Sequence, residues 1–172
     1  MDVRPASIQE VKEFTNLLAV REYIDDLIKY CFGMYESFSK TVQEDEAKNE
    51  QLKFELRNYQ FHHSYSADCN VYVYGGSGNT YKTYDAFVMA LNSGHVQGVT
   101  NLSITLDLSF RRGGYNTLED HNHKFEIKFR PELTSFSYEA NYDDPAMSGI
   151  RDKLMAKLED FPATTTIFSR AN

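Results

Sequence analysis

The sequence of 172 residues has no tryptophan, only two cysteines and no apolar run approaching the roughly 18 residues needed to cross a bilayer. Cys31 and Cys69 are isolated, which argues against a disulfide framework and favours free thiols in a reducing compartment. The first ten residues also lack the apolar core of a secretion signal. We therefore predict a cytoplasmic protein with no membrane segment.

Positive charge is scarce: 18 Lys and Arg stand against 25 Asp and Glu, a formal net charge of -7. Affinity for a phosphate backbone depends largely on a basic surface, so the composition argues against nucleic acid as a partner. An acidic inhibitor that imitates nucleic acid is a further hypothesis, but it requires acidic side chains spaced like phosphates, which the sequence cannot show.

The glycine-rich stretch GGSGNTYKT, residues 75–83, lacks the glycine that a nucleotide-binding loop needs immediately before its lysine. Tyr81 occupies that position, and it also breaks the dinucleotide pattern that Gly76 and Gly78 would begin. We interpret the stretch as a turn between two elements.

The remaining composition, 41% hydrophobic and 25% charged, is typical of a folded protein of one domain, residues 1–172. Within it we predict an N-terminal helical segment over 1–50, a mainly antiparallel sheet with one short helix near 84–92 over 51–143, and a C-terminal helix with a short tail over 144–172.

Ser7 and Glu10 form a capping box, so a helix is predicted to begin near Ser7. Farther on, apolar residues recur at alternating steps of three and four: Leu17, Val20, Ile24, Leu27, Cys31, Met34 and Phe38. The first interpretation is a core helix that lies on a sheet, and the second is a helix that also forms a dimer contact. For the second, the predicted interface residues are Leu27, Met34 and Phe38.

Aromatic and β-branched residues favour strands over 52–61 and 69–74, separated by an irregular stretch over 62–68. Residues 102–110, 125–129 and 136–142 alternate between apolar and polar side chains, which predicts an antiparallel meander with one dry face. The dry face requires a cover of helices. We therefore predict an α+β fold of two layers, in which helices at both chain ends pack mainly on one face of an antiparallel sheet of about five strands.

Asp144 and Pro145 are typical of a helix start, and apolar residues at helical spacing continue to Phe161, just before Pro162. This C-terminal helix is a candidate cover for the dry face. The tail over 163–168 is rich in threonine and is predicted to form a short edge strand.

The stretch LEDHNHKFEIKF, residues 118–129, contains the letters HNH, but the nucleases of that name separate these residues along a larger unit, so the tripeptide is a coincidence. His121 and His123 share strand parity with Phe125, and an imidazole pair of this kind can bind a divalent transition metal. Asp120 is the neighbouring candidate ligand. Arg112, predicted to reach the same place through a hairpin, could bind an anion.

The alternative is that the two histidines are solvated, or hydrogen-bonded to the backbone, where the hairpin leaves the core. No cofactor is expected under that interpretation. Tyr72 and Tyr74 lie on the strand face opposite Val71 and Val73, so something must cover them, and tyrosine suits an interface.

Together these patterns favour a non-enzymatic interaction or assembly protein that self-associates as a homo-oligomer. The rival hypothesis is a metal- or small-ligand-binding enzyme with its site near His121 and His123.

Overall fold

The computed structural model of the chain describes residues 4–55, 64–73, 79–93, 101–112 and 119–163. It contains both strands and helices, in an order without a repeated strand–helix unit. In chain order the elements are β1 (Arg4–Phe14), α1 (Arg21–Glu55), β2 (Ser64–Val73), β3 (Asn79–Tyr81), α2 (Tyr84–Asn92), β4 (Leu102–Arg112), β5 (Glu119–Phe129), β6 (Thr134–Asp143) and α3 (Pro145–Glu159).

The strands form one sheet in the order β1-β6-β5-β4-β2-β3, and every neighbouring pair is antiparallel. The predicted α+β class and the antiparallel sheet are confirmed. The sheet has six strands among the described residues, one more than expected. Two of them were not predicted: β1, and the short β3, which lies within the stretch 75–83 that we interpreted as a turn.

One face of this sheet carries the core. Alternation along β4, β5 and β6 directs large apolar side chains to that face, where their exposure falls to 1% or less. They are Leu102, Ile104, Leu106, Leu108, Phe125, Ile127, Phe129, Phe136 and Tyr138. Residues of all three helices belong to the same core cluster, so the helices cover the face that the alternating pattern predicts to be dry.

Helix α1 provides the middle of this cover, through Ile24, Leu27, Ile28, Cys31 and Phe32. Leu27 is fully buried in the chain's own core, which favours a core role for it over the predicted interface role. Met34 and Phe38 are partly buried and pack against the same cluster. The first of the two interpretations, a core helix lying on a sheet, therefore describes this part of α1.

The helix boundaries also correct the sequence prediction. Helix α1 continues to Glu55, so the strand predicted over 52–61 is wrong for residues 52–55, and the rest of that stretch lies outside the described residues. Strand β2 begins at Ser64, earlier than predicted, because its backbone pairs with β4 as far as Arg111. Pairing with a neighbour sets this boundary, whereas the polar side chains of the segment gave no strand pattern.

The largest correction concerns the N-terminal segment, since residues 4–14 form strand β1 and not the helix predicted to begin near Ser7. Glu10 pairs with Tyr138 of β6 and Lys12 pairs with Phe136, so both charged residues share the sheet face that bears the helices. The two faces of β1 therefore differ less in polarity than those of the other strands. For this reason its sequence lacks the apolar–polar alternation by which the other strands were predicted.

The two shorter helices agree with the sequence prediction. Helix α2 spans Tyr84–Asn92, and the Thr83 hydroxyl oxygen caps it by accepting a hydrogen bond from the Ala86 N–H at 3.1 Å. Helix α3 begins at Pro145, where the Asp144 carboxylate accepts from the Ala146 N–H at 3.0 Å. Among the described helices, none combines the length and apolarity that a membrane crossing would demand.

The segment that precedes α1 contacts the segment that follows α3. Leu17 forms an antiparallel bridge with Ala163, and the Leu18 N–H donates a hydrogen bond of 2.7 Å to the Pro162 carbonyl. The edge strand predicted over 163–168 otherwise lies outside the described residues. The start of α1 is thereby fixed to the end of α3.

Leu27→Ala should lower the free energy of unfolding by about 2–5 kcal/mol, because it leaves a cavity under a helix that cannot collapse onto the sheet. Urea denaturation followed by circular dichroism measures this change. Leu18→Ala is the matched control, since Leu18 is 46% exposed and the same truncation should cost well under 1 kcal/mol there. Equal losses at the two positions would contradict the assignment of Leu27 to the core.

Candidate functional site

His121 and His123 lie on the sheet face that the helices cover. His121 pairs with Phe110 of β4, and His123 pairs with Leu108 of β4 and Ala140 of β6. The side chains are 7% and 0% exposed, respectively. The predicted shared face with Phe125 is confirmed, but the pair is buried and does not lie at a solvated strand end.

His123 is held by Tyr138, whose hydroxyl shares a hydrogen bond of 2.9 Å with the imidazole Nδ1. Phe125 stacks on the same tyrosine ring, with centroids 4.6 Å apart. A hydroxyl in an apolar core needs a partner of this kind, since an unsatisfied one would cost about 1–3 kcal/mol. The hydrogen bond therefore lets Tyr138 fill the core as a large aromatic residue.

Burial lowers the pKa of His123 to about 4; the Asp144 carboxylate opposes this lowering and His121 adds to it. Burial likewise raises the pKa of the Tyr138 hydroxyl to about 12. Both groups are thus neutral near pH 7. A neutral pair can be buried without a counter-ion, which is what this part of the core requires.

His121 continues the aromatic arrangement toward the end of the sheet. Its ring stacks on Tyr142 of β6, with centroids 3.7 Å apart and an interplanar angle of 18°. Tyr142 is itself buried. Each histidine therefore faces a tyrosine of the neighbouring strand, and the contacts resemble those of core aromatic residues more than those of an open site.

Of the three predicted metal ligands, the structure describes the side chains of His121 and His123. Within the described ranges, no group of three or more His, Cys, Asp and Glu side chains is arranged to hold a metal ion. Asp120 pairs through its backbone with Arg111, and its side chain lies outside the described set. The pairing of β4 with β5 extends as far as Arg112, which lies opposite Glu119, but the Arg112 side chain is likewise not described. Metal and anion binding here stay predictions.

The predicted interface residues are not brought together by the described structure. Met34 and Phe38 lie against the core on α1, whereas the backbone of Tyr72 pairs with Ser103 of β4 and Thr80 of β3. Tyr74 lies outside the described residues. These interface assignments remain predictions.

A second candidate site, which the sequence did not reveal, is the outer edge of β1. Strand β1 is the last strand of the sheet, and in the part of the chain that the structure describes, its one strand partner is β6. Val11, on the face away from the helices, is 71% exposed. The edge thus offers eleven residues of strand and an exposed apolar side chain in its second half.

Two ion pairs to α3 hold this edge strand in place. The Glu10 carboxylate lies 2.9 Å from the Arg151 guanidinium, and the Lys12 ammonium lies 2.7 Å from the Glu159 carboxylate. The four side chains range from partly to well exposed, so each pair contributes at most about 1 kcal/mol. Their importance is positional, because they fix two opposite charges at neighbouring positions of one strand face.

Comparison of the chain with protein-family models, with curated proteins and with solved structures gives no match.

His123→Gln should make the protein less sensitive to acid. In the native chain, the folded-state pKa of about 4 lies below the unfolded value of 6.5, so the unfolded state binds more protons as the pH falls. The resulting loss of stability starts near pH 6.5 and is complete below pH 4; at pH 5 it amounts to roughly 2 kcal/mol relative to pH 8. Glutamine does not titrate in this range and removes that part of the loss.

Urea unfolding at pH 8 and pH 5 provides the measurement. Tyr138→Phe is the matched control, because it deletes the same hydrogen bond but keeps the imidazole and hence the acid sensitivity. A His123→Gln protein that loses as much stability between the two pH values as the native chain would show that His123 is not the buried neutral group described above.

Proposed function

We propose that the protein is a non-enzymatic, cytoplasmic interaction or assembly protein that acts by self-association into a homo-oligomer. The observation that carries this proposal is the outer edge of β1, an eleven-residue strand at the margin of the sheet. The N–H and C=O groups along such an edge form a template for pairing with another strand.

The length and exposure of β1 support an interacting edge. The opposite margin of the sheet is β3, which has only three residues and offers little backbone for pairing. Strand β1 is long, and the apolar side chain of Val11 on it is available for contact, since it is largely exposed. Addition of a strand to an existing sheet combines backbone hydrogen bonds for affinity with side-chain contacts for specificity.

The rival enzyme hypothesis receives less support from the geometry. A ligand would have to reach His121 and His123 beneath the helical layer, where the two side chains are almost fully covered. His123 also already shares a hydrogen bond with Tyr138. These contacts favour a structural role for the pair within the core.

The state of Cys31 is compatible with the proposed cytoplasmic location. It is a buried free thiol, and burial raises its pKa to about 12, so it carries almost no thiolate near pH 7. Such a cysteine acts as a small apolar core residue and needs no oxidising compartment.

Native mass spectrometry of the untagged full chain, purified without chelator and recorded over a dilution series, tests the proposal. We expect a mass of two or more chains that dissociates on dilution, without a bound metal or small molecule. A monomer at every concentration would refute self-association, and a stoichiometric metal or ligand mass would instead support the enzyme hypothesis.

A further inference from the structure

The residues of β1 have an order that is complementary to itself when the strand is reversed. Around Val11 the sequence reads Ile8, Gln9, Glu10, Val11, Lys12, Glu13, Phe14. Two antiparallel copies centred on Val11 place each residue opposite the one equally far on the other side of the centre. We propose that β1 pairs in this register with β1 of a second copy of the chain, so that two six-stranded sheets become one continuous sheet; this inference rests on the proposed self-association.

Charge complementarity at two positions is the first argument for this register. Glu10 of one chain lies opposite Lys12 of the second copy, and the two-fold symmetry repeats the pair. Directly opposite residues in an antiparallel pair have Cβ atoms about 4.5–5.5 Å apart, close enough for the two charges to attract. Both residues lie on the helix-bearing face, as their pairing with Tyr138 and Phe136 of β6 shows.

The ion pairs within each chain extend this attraction into a longer row. Arg151 already lies against Glu10, and Glu159 lies against Lys12. Across the proposed junction the charges alternate: Arg151 and Glu10 of one chain are followed by Lys12 and Glu159 of the second copy. Positive and negative groups therefore alternate along this row. The two-fold axis generates a second row with the same alternation.

The apolar residues fit the same arrangement. Ile8 of one chain lies opposite Phe14 of the second copy, and both side chains are partly buried against the core of their own chain. On the other sheet face, Val11 meets Val11 of the second copy at the symmetry axis, which covers a side chain that is 71% exposed in the single chain.

Neighbouring registers that keep the helices of both chains on one face are unfavourable. Centring the pair on Glu10 places the two Glu10 carboxylates opposite each other, and centring it on Lys12 does the same with two ammonium groups. Charges on an edge strand commonly oppose edge-to-edge pairing. In β1 the order of Glu10 and Lys12 opposes the registers centred on either residue and favours the register centred on Val11.

The irregularity near the start of β1 limits the length of the junction. The pairing with β6 shifts between Pro5 and Ile8, and Pro5 has no N–H to donate. The regular stretch that remains, Ile8–Phe14, is centred on Val11. The symmetry centre inferred from the charges thus coincides with the centre of the stretch able to pair.

Charge reversal tests the register on the full chain by sedimentation equilibrium. Lys12→Glu places two glutamates opposite each other twice in the dimer, and Glu10→Lys does the same with two lysines. Each variant alone should dimerise more weakly, with a dissociation constant at least about tenfold larger than that of the native chain. A one-to-one mixture of the two variants should dimerise with native-like affinity, because at both positions of the mixed dimer a glutamate of one variant lies opposite a lysine of the other.

The mixture controls for damage within a chain. Lys12→Glu loses its ion pair with Glu159, and Glu10→Lys loses its ion pair with Arg151, whether the variants are measured alone or together. Circular dichroism confirms that both variants are folded. A mixture that dimerises no better than the separate variants would overturn the proposed pairing.

Cysteine cross-linking locates the symmetry axis independently. Val11→Cys brings two thiols opposite each other at the junction, so mild oxidation should yield a covalent dimer on a non-reducing gel. Gln9→Cys is the matched control: it lies on the same sheet face, but in the proposed register Gln9 is opposite Glu13 of the second copy, and its two copies are too far apart to join. The native cysteines are common to both variants.

The outcomes separate this inference from the proposed function. A native oligomer that keeps its affinity after charge reversal, or that cross-links equally well through both positions, retains self-association and overturns the β1 register. A native monomer refutes both. A monomer that dimerises only after removal of residues 164–172 would also overturn the proposal and identify the chain's own C-terminal residues as the occupant of the edge.

Discussion

Contact between the helices and the apolar face of the central strands is the interaction on which the rest of the structure depends. Large side chains of β4, β5 and β6 are almost completely removed from water there, and each contributes about 1.5–3 kcal/mol relative to an exposed position. Only one sheet face has this character, so all described helices gather on it. The margins of the described sheet are the short β3 and the long β1.

The sequence was sufficient where one strand or helix carries its own pattern. The strict alternation from Leu102 to Leu108 needs no knowledge of the partner strands, and the start of α3 follows from Asp144 and Pro145 alone. It failed for β1, because Glu10 and Lys12 occupy the helix-bearing face and their charge partners, Arg151 and Glu159, lie far away along the chain. A pattern that depends on distant partners cannot be recognised from local spacing.

The histidines show a limit of a different kind. Strand parity correctly placed His121 and His123 on the face of the core residues, but parity does not tell how deeply a side chain is covered. Their burial depends on Tyr138 and Tyr142, which belong to the next strand and provide a hydrogen bond to one imidazole and a stacked ring to the other. The hydrogen bond also specifies the pairing of β5 with β6, since a slip of one residue would carry His123 to the polar face and leave the Tyr138 hydroxyl without it.

The position of β1 has a consequence for synthesis on the ribosome. Its partner β6 lies more than a hundred residues later, as the pairing of Arg4 with Asp143 shows. The chain emerges from its N-terminal end, so the residues of β1 leave the ribosome long before the strand that fixes them in the sheet. On a messenger translated by several ribosomes, neighbouring nascent chains therefore display this segment together before either can complete its own sheet, and the edge strand is exposed to other copies earlier than any other part of the fold.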